Sequence, residues 1–449
     1  MAQMSMQVPE DERGNEPLTP IHPFNQPGEA IELYSGPIGG LYDGPLEGTV
    51  RLVPFPSPDL RWQVDVPNVE GYPMMRPGDR FDLTAGTMTG RGTVSSTSFG
   101  SVAGIFPFLE FVSGDPMDRA IVHWINLPDY VGNTTLRYIG SDGSTTWRSS
   151  RLTLELEGWS ITLDGRPDNA SLFKEDVGLA RYVLTHTMEL RRTDGTSFDV
   201  ESAGRVIEAL RLSLSFGAGR WVAPTLSVGF DATGGEVWRW WVTPICAPYE
   251  RIGSPIISPV VFSDLDAFLK ASVSKLYGGN AANTTRFQMQ LATQTSNLGF
   301  VENRIFSAFP AIENVSWETF VLSGLVPKKE FEDSKAWPTA RRLRELLERA
   351  QIPVDVDEKR LPALHQLATE KGGGPEAITW VRNRLIHPKD PHDRLYTRES
   401  LVVEAWQQSR EYICLSLLHA IGYTGGYLSA LPSQGWLGSP APVPWAAAP

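Results

Sequence analysis

The chain has 449 residues, of which 41% are hydrophobic and 20% are charged. This composition excludes a disordered or fibrous chain, and the length exceeds the roughly 250 to 300 residues that one hydrophobic core supports, which predicts two domains. The formal net charge of −12 excludes a surface that coats nucleic acid without selectivity, because such binding requires a broad basic field. Any contact with nucleic acid is therefore expected to be local.

The cysteines and the terminal segments predict where the protein resides. Cys246 and Cys414 lie far apart in the sequence, so neither a disulfide framework nor a cysteine zinc site is expected. Residues 1–29 are polar and lack the apolar core of a signal peptide, which predicts a flexible arm. Residues 413–431 carry no charged side chain, but their polar residues and glycines favour a buried helix and a turn over a membrane span. We predict a cytoplasmic protein without membrane contact.

Residues 30–255 have the pattern of a β-rich domain. Short apolar or alternating runs are separated by glycine, proline and aspartate, and Asp142-Gly143, Asp164-Gly165 and Asp194-Gly195 are typical hairpin turns. This pattern predicts a β-sandwich or a distorted barrel, and we favour a sandwich-like domain. The clearest predicted strands are 48–54, 60–66, 151–156, 159–163, 181–190, 225–230 and 236–242.

Two stretches of this region have further interpretations. Residues 202–216 place apolar side chains at helical spacing, with Asp199 or Ser202 as the cap, and predict one helix packed on the sheet. The tryptophans of residues 236–242 are expected to pack on the sheet, although they could also form a platform for a ligand.

Beyond residues 248–259, which are rich in proline, glycine and serine, the apolar period changes to about 3.6 residues, the period of an α-helix. We predict an all-helical domain over residues 260–430 and a proline- and alanine-rich tail over 431–449. The glycines 372–374 predict a flexible connection. The predicted helices are 264–277 with Ser263 as its cap, 300–320 with a kink or an end at Pro310, 338–350, 375–387 ending before Pro388, and 397–421.

Arg382, Asn383 and His387 are the candidate catalytic residues, and we call them the Arg/His motif. A histidine exchanges a proton near neutral pH, and an arginine presents a charged planar fork to phosphate oxygens. The asparagine can orient either partner or a phosphate. Because RNA supplies its own nucleophile in the 2′-hydroxyl, cleavage by these groups requires no metal ion and no cofactor.

The spacing of the motif raises a geometric difficulty. On an ideal helix Arg382 and His387 differ by about 140° of rotation and about 7.5 Å of rise, so one regular helix does not bring them together. Either a relaxed backbone before Pro388 turns the imidazole back, or two copies of the chain meet. In the plainer alternative, Arg382 is an exposed side chain and His387 caps the helix. A metal site at His387, Asp390, His392 and Asp393 lacks a complete ligand spacing, so a solvated loop is the better interpretation.

The string Trp380 to Pro388 on the penultimate predicted helix resembles the HEPN superfamily, whose signature is an arginine, often followed by a polar residue, and then a histidine. Ala311-Ile312-Glu313 is similar to an element of the second core helix of that family. In the β-rich region, residues 123–128 and 212–221 are similar to the N-terminal domains of ApeA-type abortive-infection proteins.

This resemblance implies an endoribonuclease of anti-phage defence that acts as a homodimer. His387 would be the general acid or base, Arg382 the phosphate clamp and Asn383 the orienting residue of a composite site. The partners would be RNA, with tRNA as one candidate substrate, and a phage-derived trigger sensed by the β-rich domain. The first alternative is a non-catalytic HEPN-like module that dimerises and carries a ligand-binding β domain. The second is a carbohydrate-binding β-sandwich fused to a helical bundle.

Overall fold

The computed structural model describes residues 16–67, 75–140, 142–172, 181–249, 254–278, 282–297, 299–387, 395–432 and 439–446. The chain divides into two compact units: residues 1–211 with 222–252, and residues 212–221 with 253–449. The division after residue 252 lies close to the predicted domain boundary at 255. The grouping of residues 212–221 with the second unit is a feature that the sequence pattern does not predict.

Six antiparallel strands of the first unit close into a barrel. In order of pairing they run β4-β1-β2-β3-β6-β5, and β4 and β5 pair with each other from Arg80 opposite Thr93 to Ala85 opposite Met88. The strands are β1 (Ile31–Tyr42), β2 (Gly44–Val53), β3 (Asp59–Asp65), β4 (Arg80–Ala85), β5 (Met88–Ser98) and β6 (Ser101–Phe106).

Eight further strands extend this sheet from the β5 edge of the barrel. Their order is β7-β14-β13-β8-β12-β11-β10-β9, and every pair is antiparallel. They are β7 (Phe108–Val112), β8 (Arg119–Ile125), β9 (Thr134–Ile139), β10 (Thr145–Leu156), β11 (Trp159–Gly165), β12 (Leu184–Arg192), β13 (Ala223–Phe230) and β14 (Glu236–Val242), with the helical turn α1 (Asn169–Leu172) between β11 and β12.

The prediction of a sandwich is therefore wrong, because the first unit is a closed barrel with additional strands. Alternating apolar residues are expected in both architectures, and the pairing of β4 with β5 decides between them. A register shift between Val94 and Ser96 in β5 supplies the local bend that closure needs. In the barrel core the buried indole of Trp62 lies against Gly104, where a Cβ atom would come within 2.5 Å of the ring.

The predicted turns and the predicted helix of this region have different outcomes. Asp142-Gly143 lies in the connection of β9 to β10, as predicted for a hairpin. Asp164-Gly165 is the buried end of β11, so the turn predicted there is wrong. The predicted helix is α2 (Val200–Ala218), and the Asp199 carboxylate caps it by accepting a hydrogen bond of 2.7 Å from the backbone N–H of Ser202. Hydrogen bonding from the Ser202 side chain, and then from its backbone N–H, lowers the pKa of Asp199.

The second unit is built mainly from helices, among which α10 packs on α5 and α9. Its elements are α3 (Phe262–Tyr277), α4 (Ala282–Gln294), α5 (Val301–Trp317) continued by a π-helical turn (Glu318–Leu322), α6 (Lys328–Phe331), α7 (Thr339–Arg349), α8 (Pro362–Lys371), α9 (Gly374–Ile386), α10 (Leu401–Ala420) and the short strands β15 (Gly426–Tyr427) and β16 (Ala441–Pro442).

The prediction of an all-helical second domain is wrong, because β15 and β16 form an antiparallel pair and make the unit α+β. A buried carboxylate, that of Glu411 on α10, fixes the chain at this pair. It accepts hydrogen bonds from the hydroxyls of Tyr427 and Ser429 and from the backbone N–H of Ala430. The sequence pattern does not show this contact, because β15 and β16 are two residues long.

The prediction of Ser263 as a helix cap is wrong, because α3 starts one residue earlier at Phe262. Pro310 does not end α5, which continues to Trp317. A kink at Pro310, the other form of that prediction, stays a prediction. Among the described residues, no helix combines the length and the hydropathy needed to cross a membrane.

Candidate active site

Helix α9 carries Arg382 and Asn383 of the Arg/His motif near its C-terminal end, and His387 directly follows the helix. Its buried residues, among them Ala377, Ile378 and Val381, anchor the helix in the second unit. The helix ends at Ile386, and His387 has left the helical conformation with φ −123° and ψ 76°. The backbone N–H of His387 still donates a hydrogen bond of 2.9 Å to a carbonyl of the last turn. The relaxed backbone predicted for this position is therefore present.

Arg382 is held from two sides. Its guanidinium carbon lies 5.5 Å from the centroid of the Phe309 ring on α5, and this ring is 2% exposed. Its Nη1 donates a hydrogen bond of 2.9 Å to Oδ1 of Asn383. Its Nε is buried and has no hydrogen-bond partner among the described residues. A cation placed over an aromatic ring gains about 0.5 to 2 kcal/mol, so Phe309 restricts the guanidinium before any phosphate arrives.

The imidazole of His387 and the amide of Asn383 are exposed at the end of α9. Within the described part of the chain, no hydrogen bond or ion pair joins His387 to Arg382. The structure thus brings Arg382 together with Asn383 and leaves the imidazole free to meet other groups. The pairing of two copies at this site stays a prediction.

Trp380 adds a feature that the sequence analysis did not identify. Its half-buried ring lies 5.5 Å from Nζ of Lys371 and 5.1 Å from the guanidinium carbon of Arg384. Two cations therefore lie close to one ring on the helix that carries the motif. The four-residue spacing of Trp380 and Arg384 on a helix is the signal that could have revealed this contact.

Glu313, the acidic residue of the Ala311-Ile312-Glu313 element, binds side chains of helix α7. Its carboxylate accepts hydrogen bonds of 2.7 Å from Arg342 and 2.9 Å from Thr339, which fasten the start of α7 to α5. The carboxylate of Glu313 therefore joins two helices, and within the described residues it forms no hydrogen bond with the Arg/His motif.

Of the metal site considered in the loop after α9, Asp390, His392 and Asp393 lie outside the described residues. In the parts of the chain that the structure describes, no three histidine, cysteine, aspartate or glutamate side chains are grouped to hold a metal ion.

The 123–128 segment of the first unit is a structural element of the sheet. His123 is fully buried, with Nδ1 3.3 Å from the carbonyl of Leu226, and burial lowers its pKa to about 4. Asn126 has a positive φ of 56° and its amide donates hydrogen bonds to the carbonyls of Arg181 and Ala247. These contacts join separate loops at the end of β8 and leave no exposed recognition surface on the two side chains.

The tryptophans of β14 pack mostly on the sheet, as predicted. Trp238 and Trp241 are 2% and 1% exposed, whereas Trp240 stays half-buried and stacks on Trp238 with 6.4 Å between ring centroids.

A cavity of about 550 Å³ lies in the first unit, between β9 to β12 and the N-terminal segment, residues 16–25. The N-terminal segment is fastened there by a hydrogen bond of 2.7 Å from the backbone N–H of Leu18 to Asp164 and by one of 2.9 Å from Arg151 to the carbonyl of Glu16. Residues 16–25 belong to the stretch for which a flexible arm is predicted, and residues 1–15 lie outside the described residues.

These features define a protein in which a β unit with a closed barrel is followed in the sequence by an α+β unit with an Arg/His motif at the end of one helix. Residues 112–252 match the family described as "YopA central domain", and residues 289–440 match "YopA C-terminal domain". The first match includes β8 to β14, and the second includes α5 to α10 with the whole motif.

The chain is also similar to a protein of Bacillus subtilis (strain 168) named "SPbeta prophage-derived uncharacterized protein YopA". The two sequences are 25% identical over 319 residues, and the matched part is 66% of this chain and 66% of the relative. The chain thus spans about two thirds of the length of that relative. No solved structure matches the chain.

Proposed function

We propose that the protein is a metal-independent endoribonuclease of the HEPN type that acts in anti-phage defence. The observation that carries this proposal is the last turn of α9, where Arg382 is fixed over Phe309 and the imidazole of His387 is exposed. These two groups are the proton carrier and the charge clamp that transesterification of RNA needs. The HEPN resemblance of residues 380–388 supports the same conclusion.

In the proposed reaction the 2′-hydroxyl of a ribose attacks the adjacent phosphorus, and the bond to the 5′-oxygen of the next nucleotide breaks. His387 removes the proton from the 2′-hydroxyl or donates one to the leaving oxygen. Arg382 stabilises the negative charge that develops on the nonbridging phosphate oxygens. Asn383 orients the guanidinium through the hydrogen bond to its Nη1. The products are a 2′,3′-cyclic phosphate and a 5′-hydroxyl.

The net charge of −12 requires that RNA be held by local contacts. Trp380 supplies a ring on which a base can stack, and Lys371 and Arg384 beside it supply cations for the neighbouring phosphates. Stacking of a base on an aromatic side chain contributes about 1 to 3 kcal/mol and tolerates any sequence. This group extends the proposed site along α9 from the motif.

A homodimer supplies the convergence that one chain lacks. Exposed apolar side chains occur beside the motif and at the starts of α5 and α10: Ile386 is 39% exposed, Phe300 78% and Val403 42%. Exposed apolar groups of this kind mark surfaces that associate. A two-fold interface that includes Ile386 would place one motif opposite the other.

Anti-phage defence and a cytoplasmic location are the parts of the proposal that rest on similarity. The Bacillus subtilis relative is prophage-derived, which fits a protein that acts when a second phage infects the host. RNA, including tRNA, is then the substrate in the cytoplasm, and a phage-derived molecule is the trigger.

Cleavage of RNA in the presence of EDTA tests the function directly. Purified protein should cut a labelled mixture of tRNA and single-stranded RNA, leave DNA of the same sequence intact, and produce 2′,3′-cyclic phosphate ends. His387→Ala and Arg382→Ala should each lower the rate by at least about 100-fold, the usual contribution of general acid and base catalysis for the histidine and of transition-state charge stabilisation for the arginine. Arg349→Ala is the matched control, because this arginine is exposed on α7, a helix that does not carry the motif. Equal rates for the wild type and His387→Ala would remove the proposed site.

The alternative function is a non-catalytic module that dimerises through its second unit and binds a ligand in its first. The cavity of about 550 Å³ beside the N-terminal segment is the observation that favours it. Under this alternative the purified protein dimerises but does not cut RNA, and all motif variants behave as the wild type.

A further inference from the structure

The cavity of the first unit has the size and composition of a small-molecule site. Its volume of about 550 Å³ lies within the range of about 300 to 1,000 Å³ that is usual for such sites. Leu18, Phe24 and Ile139 form an apolar part of the lining, and Arg137 and Thr187 contribute polar groups. Bound ligands are commonly held in this way, with an apolar body and a few fixed hydrogen bonds.

Two polar atoms of the lining residues are buried and lack a hydrogen-bond partner among the described residues. They are Oγ1 of Thr187 and Nε of Arg137, and Thr187 is 1% exposed. Buried polar groups are nearly always paired in native proteins. A ligand that brings a hydrogen-bond acceptor into this cavity would therefore pair with polar atoms of Thr187 and Arg137 that have no partner among the described residues.

The charged side chains that line the cavity differ in how strongly they are held by hydrogen bonds and ion pairs. Both oxygens of Asp164 are occupied, since Arg151 donates to each of them at 2.7 Å and the backbone N–H of Leu18 donates to Oδ2. Arg137 has a weaker partner: its Nη2 is 3.4 Å from the carboxylate of Glu16, whose side chain is 75% exposed. An exposed pair of this kind contributes little stability, so another anion can replace Glu16.

We propose that the cavity binds a small organic acid. Its carboxylate takes the place of the Glu16 carboxylate at Arg137, and its apolar body lies against Leu18, Phe24 and Ile139. The guanidinium of Arg137 matches a carboxylate in geometry and charge. The proposal is independent of RNA cleavage, because its site lies wholly in the first unit.

Titration calorimetry of the full-length protein with decanoate and with decanamide tests this site. The two probes share one alkyl chain and differ in charge. The wild type should bind decanoate about tenfold more tightly than decanamide, as a hydrogen bond to a charged group warrants. Arg137→Gln should abolish this preference. Glu16→Gln should strengthen decanoate binding by about threefold, because it removes the competing carboxylate.

Arg91→Gln and Glu47→Gln are the matched controls, since both side chains are exposed on the barrel strands and neither lines the cavity. Both controls should bind decanoate as the wild type does. A lower thermal unfolding midpoint in Arg137→Gln would make unfolding a second explanation for its lost preference. The tighter decanoate binding expected of Glu16→Gln would then decide, because unfolding cannot produce tighter binding. Equal affinity of the wild type for the two probes, no binding of either, or no gain in Glu16→Gln would overturn the proposal.

Discussion

The buried side chains of His123 and His186 and the half-buried side chain of His22 make the first unit sensitive to acid. Burial lowers the pKa of His22 to about 3 and the pKa values of His123 and His186 to about 4. In the unfolded chain a histidine has a pKa of about 6.5. Between these values the unfolded chain binds protons that the folded chain excludes, so folding stability is full above about pH 6.5 and decreases as the pH falls toward 4.

His186 allows this effect to be measured at one position. It lies in β12 and is 3% exposed, and desolvation is the main cause of its low pKa, opposed by the charges of Asp129 and Asp164. From pH 8 to pH 5 the wild type should lose about 2 kcal/mol more unfolding free energy than His186→Asn, measured by urea titration with circular dichroism. Met188→Ala, a buried control in the same strand, should keep the wild-type pH dependence. If His186→Asn loses as much unfolding free energy as the wild type between pH 8 and pH 5, His186 takes up no additional proton on unfolding.

At the scale of single elements, the start of α9 depends on a glycine with no room for a side chain. Gly372 and Gly373 have φ values of 101° and 140° and form an ordered turn where the sequence predicts a flexible connection. The next residue, Gly374, is buried and donates its N–H to the carbonyl of Val354 at 3.0 Å. A Cβ atom at Gly374 would lie 2.7 Å from this carbonyl oxygen and closer still to the hydroxyl of Tyr412.

Gly374→Ala should therefore destabilise the second unit by about 1 to 3 kcal/mol, the usual cost of overpacking a core. Thermal or urea unfolding measures this loss. Gly278→Ala is the matched control, because Gly278 ends α3 at φ −134° with no atom within 4 Å of its Cβ position. The control should change the free energy of unfolding by less than about 0.5 kcal/mol. Equal stability of the two variants would mean that the start of α9 adjusts freely.

At the scale of the whole molecule, the sequence predicts what is local and misses what depends on distant pairing. Helix α2 follows from its apolar spacing and from Asp199, both of which act within a few residues. Asp164-Gly165 has the local signal of a turn, but Arg151 lies opposite Asp164 on β10 and holds it in the sheet. The closure of the barrel depends in the same way on β4 meeting β5, which alternation of apolar residues does not specify.

The same distinction between local signals and distant contacts applies to the candidate site. The Arg/His motif can be read from residues 380–388, because it is a short pattern on one helix. The ring of Phe309 beneath Arg382 cannot, since it belongs to α5 and reaches the arginine only through helix packing. The sequence pattern likewise does not show whether Arg382 and His387 converge. Within the described chain no hydrogen bond joins these two side chains. In the homodimer that we propose, a second chain would supply the other half of the site.

Mixed dimers of two inactive variants test whether the halves come from different chains. Arg382→Ala retains His387, and His387→Ala retains Arg382, so a heterodimer of the two contains one intact pair across the interface. Random exchange of subunits should restore roughly a quarter of the wild-type cleavage, because half of the dimers are mixed and each has one of two pairs intact. RNA cleavage in EDTA after subunit exchange measures the recovery.

The control mixes Arg382→Ala with the double variant Arg382→Ala/His387→Ala, a combination in which no chain supplies the arginine. This mixture should stay inactive while forming the same number of dimers, counted by native mass spectrometry with one subunit isotopically labelled. If heterodimers form and cleavage does not return, each chain must use its own arginine and histidine. The imidazole of His387 would then have to turn back toward Arg382 across the end of α9, where its backbone has already left the helix.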